Sequence, residues 1–242
     1  MLTKKLLITL LVVGFSCTFA SAGFIEITDP TLTIQDVLDN YSTIPGYEFR
    51  VLDKVFADWD VRTIGSIGAA APDADEILVV GGYWDSGPYA GEVGLRFNSG
   101  WVAGRNQISS STITFTVDTD PAWDVVGTTL YVDLFEADHN SLASISTNVY
   151  NELPGPGINY IASGYVFKDG VNGLTQQTDH ADFAQEDKVW VKTGVTANSD
   201  NVDGRIAHIT EFYQTFGQIP EPATLGLLGL GALALIRRRR RA

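Results

Sequence analysis

The chain is expected to fold as an all-β protein, a β-sandwich or jelly-roll-like single domain with one short N-terminal helix. Three observations predict this: many short segments with apolar residues at every second position, clusters of Gly, Pro, Asn and Asp between them, and a single stretch with helical spacing. A chain of 242 residues suits one such domain with targeting segments at its ends. The division expected is a signal peptide over 1–22, a β-sandwich over 23–218 and an apolar C-terminal segment over 219–242, which reads as a short transmembrane helix.

Taken in order, Phe24 to Thr28 reads as a short strand. Thr33 then caps a helix, with Asp36 three residues on as the reciprocal acid, and Ile34, Val37, Leu38 and Tyr41 form its apolar face. From Tyr47 the period becomes two. Tyr47 to Leu52, Glu92 to Asn98, Ser111 to Val117, Thr129 to Glu136, Ile145 to Tyr150, Asn159 to Phe167, Lys188 to Lys192 and Arg205 to Phe216 are strand candidates. The clearest is Ser111 to Val117, where Ile113, Phe115 and Val117 alternate with three threonines. Glu76 to Val80 is a continuous apolar run and reads as a strand covered on both faces. Turn markers fall between these segments, among them Pro45-Gly46, Gly81-Gly82, Ser99-Gly100, Asp169-Gly170 and Asn172-Gly173.

The ends carry the address. Lys4 and Lys5, the apolar run Leu6 to Phe19 and the small residues Ala20-Ser21-Ala22 make a secretory signal, with Ala20 and Ala22 at the positions signal peptidase reads and Gly23 as the mature start. Partners implied are the Sec translocon and signal peptidase. Cys17, the only cysteine, lies inside this signal and lacks the leucine three positions earlier that lipidation expects, so the mature chain has no disulfide. At the other end Pro220, Glu221 and Pro222 precede an apolar run from Ala223 to Ile236 and then Arg237, Arg238, Arg239, Arg240 and Arg241. Fourteen apolar residues span about 21 Å as a helix against a hydrocarbon core of about 30 Å, a marginal length that suits a temporary anchor. Positive charge stays cytoplasmic, which turns the body outward.

Seven of the sixteen basic residues lie at these ends, leaving nine against twenty-nine acids in the body. A balance of −20 over Gly23 to Ile236 repels phosphate backbones and argues against nucleic acid as a partner. It suits solubility, or attraction of divalent cations. Weak candidate calcium ligands are Asp118, Asp120 and Asp124 in one loop, Asp73, Asp75 and Glu76 in another and Asp200, Asn201 and Asp203 in a third, and ordinary turn chemistry explains all three clusters better. No cofactor other than calcium is implied. No Gly-x-Ser-x-Gly or His-Glu-x-x-His occurs, and His139 and His180 stand beside carboxylates without zinc-ligand spacing. No catalytic residue is assigned, and the expectation is a non-enzymatic protein. The stretch Gly81 to Tyr89 gathers Tyr83, Trp84 and Tyr89 in what reads as a glycine-rich loop. Such rings either contact a polysaccharide or roof one end of the core.

With the triplet Pro220-Glu221-Pro222, the apolar run and the arginine cluster at the extreme C-terminus, the tail resembles the PEP-CTERM sorting domain of exported bacterial proteins. The resemblance covers about a tenth of the chain. It implies export, transient retention in the inner membrane, recognition by an exosortase acting near the triplet, delivery to the cell surface or beyond, and association with extracellular polysaccharide. The body is similar to a recurring kind of PEP-CTERM protein, on Asp53 to Trp59, Gly94-Leu95-Arg96-Phe97 and Ile209 to Phe216. That likeness implies a shared β-domain of unassigned function. The role expected is structural or interactive, with a carbohydrate-binding module or carbohydrate-active enzyme as the alternative.

Overall fold

The computed structural model describes residues 24–40, 48–65, 68–119, 123–199 and 206–220. The expected signal peptide with Ala20 and Ala22, the residues Glu221 and Pro222, the apolar run and Arg237 to Arg241 lie outside these. Among the described residues no helix is long and apolar enough to cross a membrane.

The chain order is β1 (Phe24–Glu26), α1 (Ile34–Asn40), β2 (Phe49–Val51), β3 (Lys54–Gly65), β4 (Leu78–Trp84), β5 (Val93–Ala103), β6 (Ile108–Thr119), β7 (Trp123–Ala137), β8 (Leu142–Tyr150), β9 (Ala162–Asp169), β10 (Leu174–Gln176), β11 (Thr178–Glu186), β12 (Lys188–Asn198) and β13 (Ala207–Pro220). They form two antiparallel sheets, β1-β4-β5-β13-β7-β11 and β10-β9-β8-β12-β6-β3-β2. The edges are short or charged. β1, β2 and β10 have three residues each, and β11 carries Asp179, His180, Asp182 and Glu186, which discourages pairing with another chain.

Alternation accounts for the core. Phe97 and Phe212 of the six-stranded sheet stack at 4.8 Å, and Phe115 of the facing sheet meets Phe97 at 6.2 Å and Trp59 at 5.0 Å. The interior also holds a polar line. Gln214 on β13 donates to Thr128 and accepts from Thr193 of the opposite sheet at 3.3 Å, and Thr193 meets Thr147 at 3.1 Å. All four are buried and satisfied, which ties the two sheets in one relative register.

The helix forms as its caps require. The Asp36 amide donates to Thr33 Oγ1 at 3.1 Å and the Thr33 amide to Asp36 Oδ2 at 2.9 Å, while Ile34 and Val37 are buried. Two expected turns are not turns. Gly81-Gly82 lies inside β4 and Ser99-Gly100 inside β5. At Gly81 a Cβ would stand 2.3 Å from Val51, and at Gly82 it would stand 2.2 Å from the Ile25 carbonyl oxygen, so these glycines admit neighbouring chain and do not bend their own. The same approach explains why β4 is covered on both faces. Three strands, β3, β10 and β11, were not among those expected. In β3 a bulge at Asp58, with φ of 51°, puts Phe56 and Trp59 out of strict alternation.

Candidate functional site

Register places a continuous set of side chains on the outer face of the six-stranded sheet. Gly82 pairs with Gly94, Arg96 and Tyr131 each pair with Tyr213, and Thr129 pairs with Thr215 and with His180. The paired glycines leave a side-chain-free floor, and Phe24 lies against Gly82. Phe24, Trp84, Tyr131 and Tyr213 close over it: Trp84 is 5.5 Å from Phe24, 5.7 Å from Tyr131 and 5.4 Å from Tyr213.

Charged groups flank this cluster. At one end Arg96 meets Glu26 at 2.8 Å and Glu211 at 3.4 Å, and Glu211 also accepts from Tyr213 at 2.5 Å and Asn98 at 3.2 Å. Burial and then the Glu211 carboxylate hold the Tyr213 phenol above its ordinary value. At the other end Glu92 accepts from Thr215 at 2.6 Å and Thr129 at 3.0 Å. Burial pushes its carboxyl up, against the pull of those hydroxyls. His180 sits between Thr129 at 2.8 Å and Asp182 at 3.0 Å, and Tyr89 stacks on it at 6.0 Å while meeting Thr178 through its hydroxyl. Among the described residues, two buried donors here have no partner, Trp84 Nε1 and Arg96 Nε.

This arrangement holds its carboxylates more than it frees them.

A cleft of about 540 Å³ lies farther along the six-stranded sheet, lined by Leu78, Asn98, Gly100 and Thr210 among others, and the outer face of the seven-stranded sheet carries another. A cleft of about 460 Å³ lies there, lined by Asp60, Arg62, Thr114, Trp190, Lys192 and Leu153 among others. Trp190 is half-buried under Lys188, whose ammonium lies 5.3 Å from the ring centre, and Leu153 is 74 % exposed at the rim. Farther along the face Tyr165 and Phe167 stack at 5.3 Å.

Of the residues singled out from sequence, Trp84 is buried within the aromatic cluster, Tyr83 packs inward against the core, and Tyr89 is half-buried in the β4–β5 connection. The structure brings Trp84 and Tyr89 to one face and turns Tyr83 to the other. Asp118 and Asp124 lie on β6 and β7, and Asp120 lies outside the described residues, as do Asp200, Asn201 and Asp203. Burial raises the Asp118 carboxyl. Asp73 and Glu76 close their own turn, the Asp73 amide donating to Glu76 at 3.1 Å. Among the described residues no three His, Cys, Asp or Glu groups converge as a metal site. Pro220 ends β13, paired with Trp123.

Glu92, Arg96, Glu211 and Trp190 join the faces without having been marked as site residues by local sequence pattern. The signal for Trp190 was present: Lys188, Trp190 and Lys192 alternate with Val189 and Val191, which puts a tryptophan on the polar face of a strand.

The fold defines an antiparallel β-sandwich with an aromatic cluster on one outer face and a cleft beside Trp190 on the other. The chain carries a PEP-CTERM protein-sorting motif over residues 218–241. None of the curated proteins compared with it matches. Among solved structures it is similar to TmCBM61 in complex with β-1,4-galactotriose, at 17 % identity and a TM-score of 0.31, covering 74 % of this chain and 99 % of that one. It is also similar to a structure of carbohydrate-binding modules from the β-sandwich superfamily, at 9 % identity and a TM-score of 0.27, covering 66 % and 56 %. A third similar structure is the native family 12 xyloglucanase from Bacillus licheniformis, at 10 % identity and a TM-score of 0.26, covering 81 % and 100 %. The sorting motif implies export, passage through a membrane-anchored stage to the cell surface, and exosortase as the processing partner.

Proposed function

We propose that this is a non-enzymatic protein of the cell surface or extracellular matrix, associated with extracellular polysaccharide, and held in transit by its C-terminal segment. The observation that carries the reading is the sorting motif over residues 218–241, continuous with the last strand of the sandwich. Support for a non-enzymatic role comes from Glu92 and Glu211, each tied up by neighbouring hydroxyls or by Arg96.

The second reading is a carbohydrate-binding module, and the cleft favours it. Its volume of about 460 Å³ is in the range of small-ligand sites, and an indole beside hydroxyls and paired charges offers the apolar platform and directed polar groups that a sugar ring needs. The test is a polysaccharide panel, including polymer from the producing cells, probed with the full chain and with Trp190→Ala. Binding that falls about tenfold or more in the variant places the polysaccharide on the cleft. Absence of binding to every polymer sinks the association with polysaccharide. Turnover of any glycoside that Glu92→Gln or Glu211→Gln abolishes overturns the non-enzymatic reading.

A further inference from the structure

We propose that Lys54 and Gln218 are joined by an intramolecular isopeptide bond, the ε-amine of the lysine replacing the amide nitrogen of the glutamine with loss of ammonia. The bond links β3 of the seven-stranded sheet to β13 of the six-stranded sheet, two residues before Pro220.

Lys54 opens β3 on the same side of the strand as Phe56, and that side faces the interior. Its side chain is 0 % exposed, one of the largest fully buried groups in the molecule. A buried ammonium costs several kcal/mol unless well paired. Here Nζ has the Asp53 carboxylate at 3.4 Å and lies in contact with the Gln218 side-chain oxygen. The amide carbon of Gln218 is one bond from the atom that Nζ touches. Burial holds the Lys54 amine below its ordinary value, against the pull of Asp53, and so favours the neutral, nucleophilic form.

The step balances without an oxidant, a reductant or a second substrate. Neutral Nζ attacks Cδ of Gln218, the Asp53 carboxylate takes a proton from Nζ and returns it to the departing nitrogen, the Cδ–Nε2 bond breaks, and ammonia leaves. An amine and a carboxamide become one secondary amide and ammonia. Gln218 is only half-buried, which gives the ammonia a way out. The direction follows from solvation: a buried cation is exchanged for a neutral amide, and the charge reappears as ammonium in water.

The bond would supply what this chain otherwise lacks. Its only cysteine, Cys17, precedes the expected mature start, so no disulfide can close the domain. Lys54 and Gln218 stand 164 positions apart, and the link encloses nearly the whole sandwich at the point where the sorting motif begins.

The test is intact mass and peptide mapping of the full chain, purified as folded protein from a host without exosortase. The expected mass is about 17 Da below that calculated from the observed N-terminus. Proteolysis should yield one branched peptide carrying both residues, with trypsin failing to cut after Lys54. Lys54→Met and Gln218→Leu should each restore the full mass, run more slowly on a denaturing gel, and melt roughly 10 to 20 °C lower. Separate, unmodified peptides for Lys54 and Gln218 in the folded wild-type chain overturn the proposal. So does a deficit that maps instead to Asn172-Gly173, where an asparagine can cyclise onto the following amide with the same loss. The wild-type map decides the matter even if both variants fail to fold. Asp53→Asn should leave the two side chains unlinked in freshly made protein, and linkage at an unchanged rate overturns the proton-transfer role of Asp53.

Discussion

Trp101 gives the sharpest test of how the two sheets are held together. It is fully buried on β5, and its indole N–H donates across the sandwich to Ser111 Oγ on β6 at 2.9 Å, where Ser111 is itself 1 % exposed. Trp101→Phe removes the donor and about 40 Å³ of side chain. The stranded hydroxyl costs about 1–3 kcal/mol, and the void adds about 1 kcal/mol at roughly 24 cal/mol per Å³. A total of about 2–4 kcal/mol lowers the melting temperature by on the order of 10 °C for a body of this size. Ser111→Ala leaves the indole N–H unpaired and costs about 1–2 kcal/mol. In the double variant neither group is stranded, so the combined loss should fall short of the sum by about 1 kcal/mol or more. Urea unfolding followed by far-ultraviolet circular dichroism measures all four proteins. Losses that add within about 0.3 kcal/mol would refute the reasoning, because they would mean that the indole and the hydroxyl do not support each other.

Other outcomes follow from single positions. Gly82→Ala sets a methyl against the Ile25 carbonyl and the Phe24 ring and should cost about 1–3 kcal/mol, whereas Gly100→Ala, with open space at its Cβ, should change the urea midpoint little. Glu92 has a folded carboxyl value raised by burial, so its stability contribution is full at low pH and is lost as pH rises through that raised value. Glu92→Gln should therefore melt higher than wild type at neutral pH and approach it in acid, and a constant difference across pH would contradict the burial. Thr33→Ala removes the hydroxyl that accepts from the Asp36 amide, keeps the backbone N–H that donates to Asp36, and should cost about 0.5–2 kcal/mol, read as a lower urea midpoint with an unchanged slope.

The strands with one apolar face were legible because alternation survives in them: β6, β7 and β13 appear where Ile113, Leu130 and Phe212 mark every second position. The capped helix was legible for a similar reason, since Thr33 and Asp36 interact within one turn. β11 was not, because as an edge strand it turns only Ala181 and Phe183 to the core, and that short alternation is lost among Asp179, His180, Asp182 and Glu186. Gly81-Gly82 was misplaced because a glycine needed for close approach has the same letter as one needed for a turn. The outer-face cluster was hidden for a different reason. Asn98 and Glu211 stand 113 positions apart and meet only because β13 inserts between β5 and β7, a pairing that no local pattern encodes.

That insertion also bears on how the tail is read by its processing enzyme. β13 is an inner strand, hydrogen-bonded on both sides, and it delivers Phe212, Gln214 and Phe216 to the core. Gln218, Ile219 and Pro220 are still paired with Val125, Asp124 and Trp123, so the sorting motif begins inside the ladder and no spacer separates it from the body. Tension applied at Pro220 along the strand loads the β13 hydrogen bonds in shear, many at once, and the buried Gln214 contacts with Thr128 and Thr193 resist sliding. Pro220 offers no N–H and so ends the ladder at the first proline of the triplet. An enzyme that needs extended chain on both sides of Glu221 must therefore work against the wall of the sandwich or first draw residues 218–220 away from β7, and loosening that last stretch is the step that the fold makes costly.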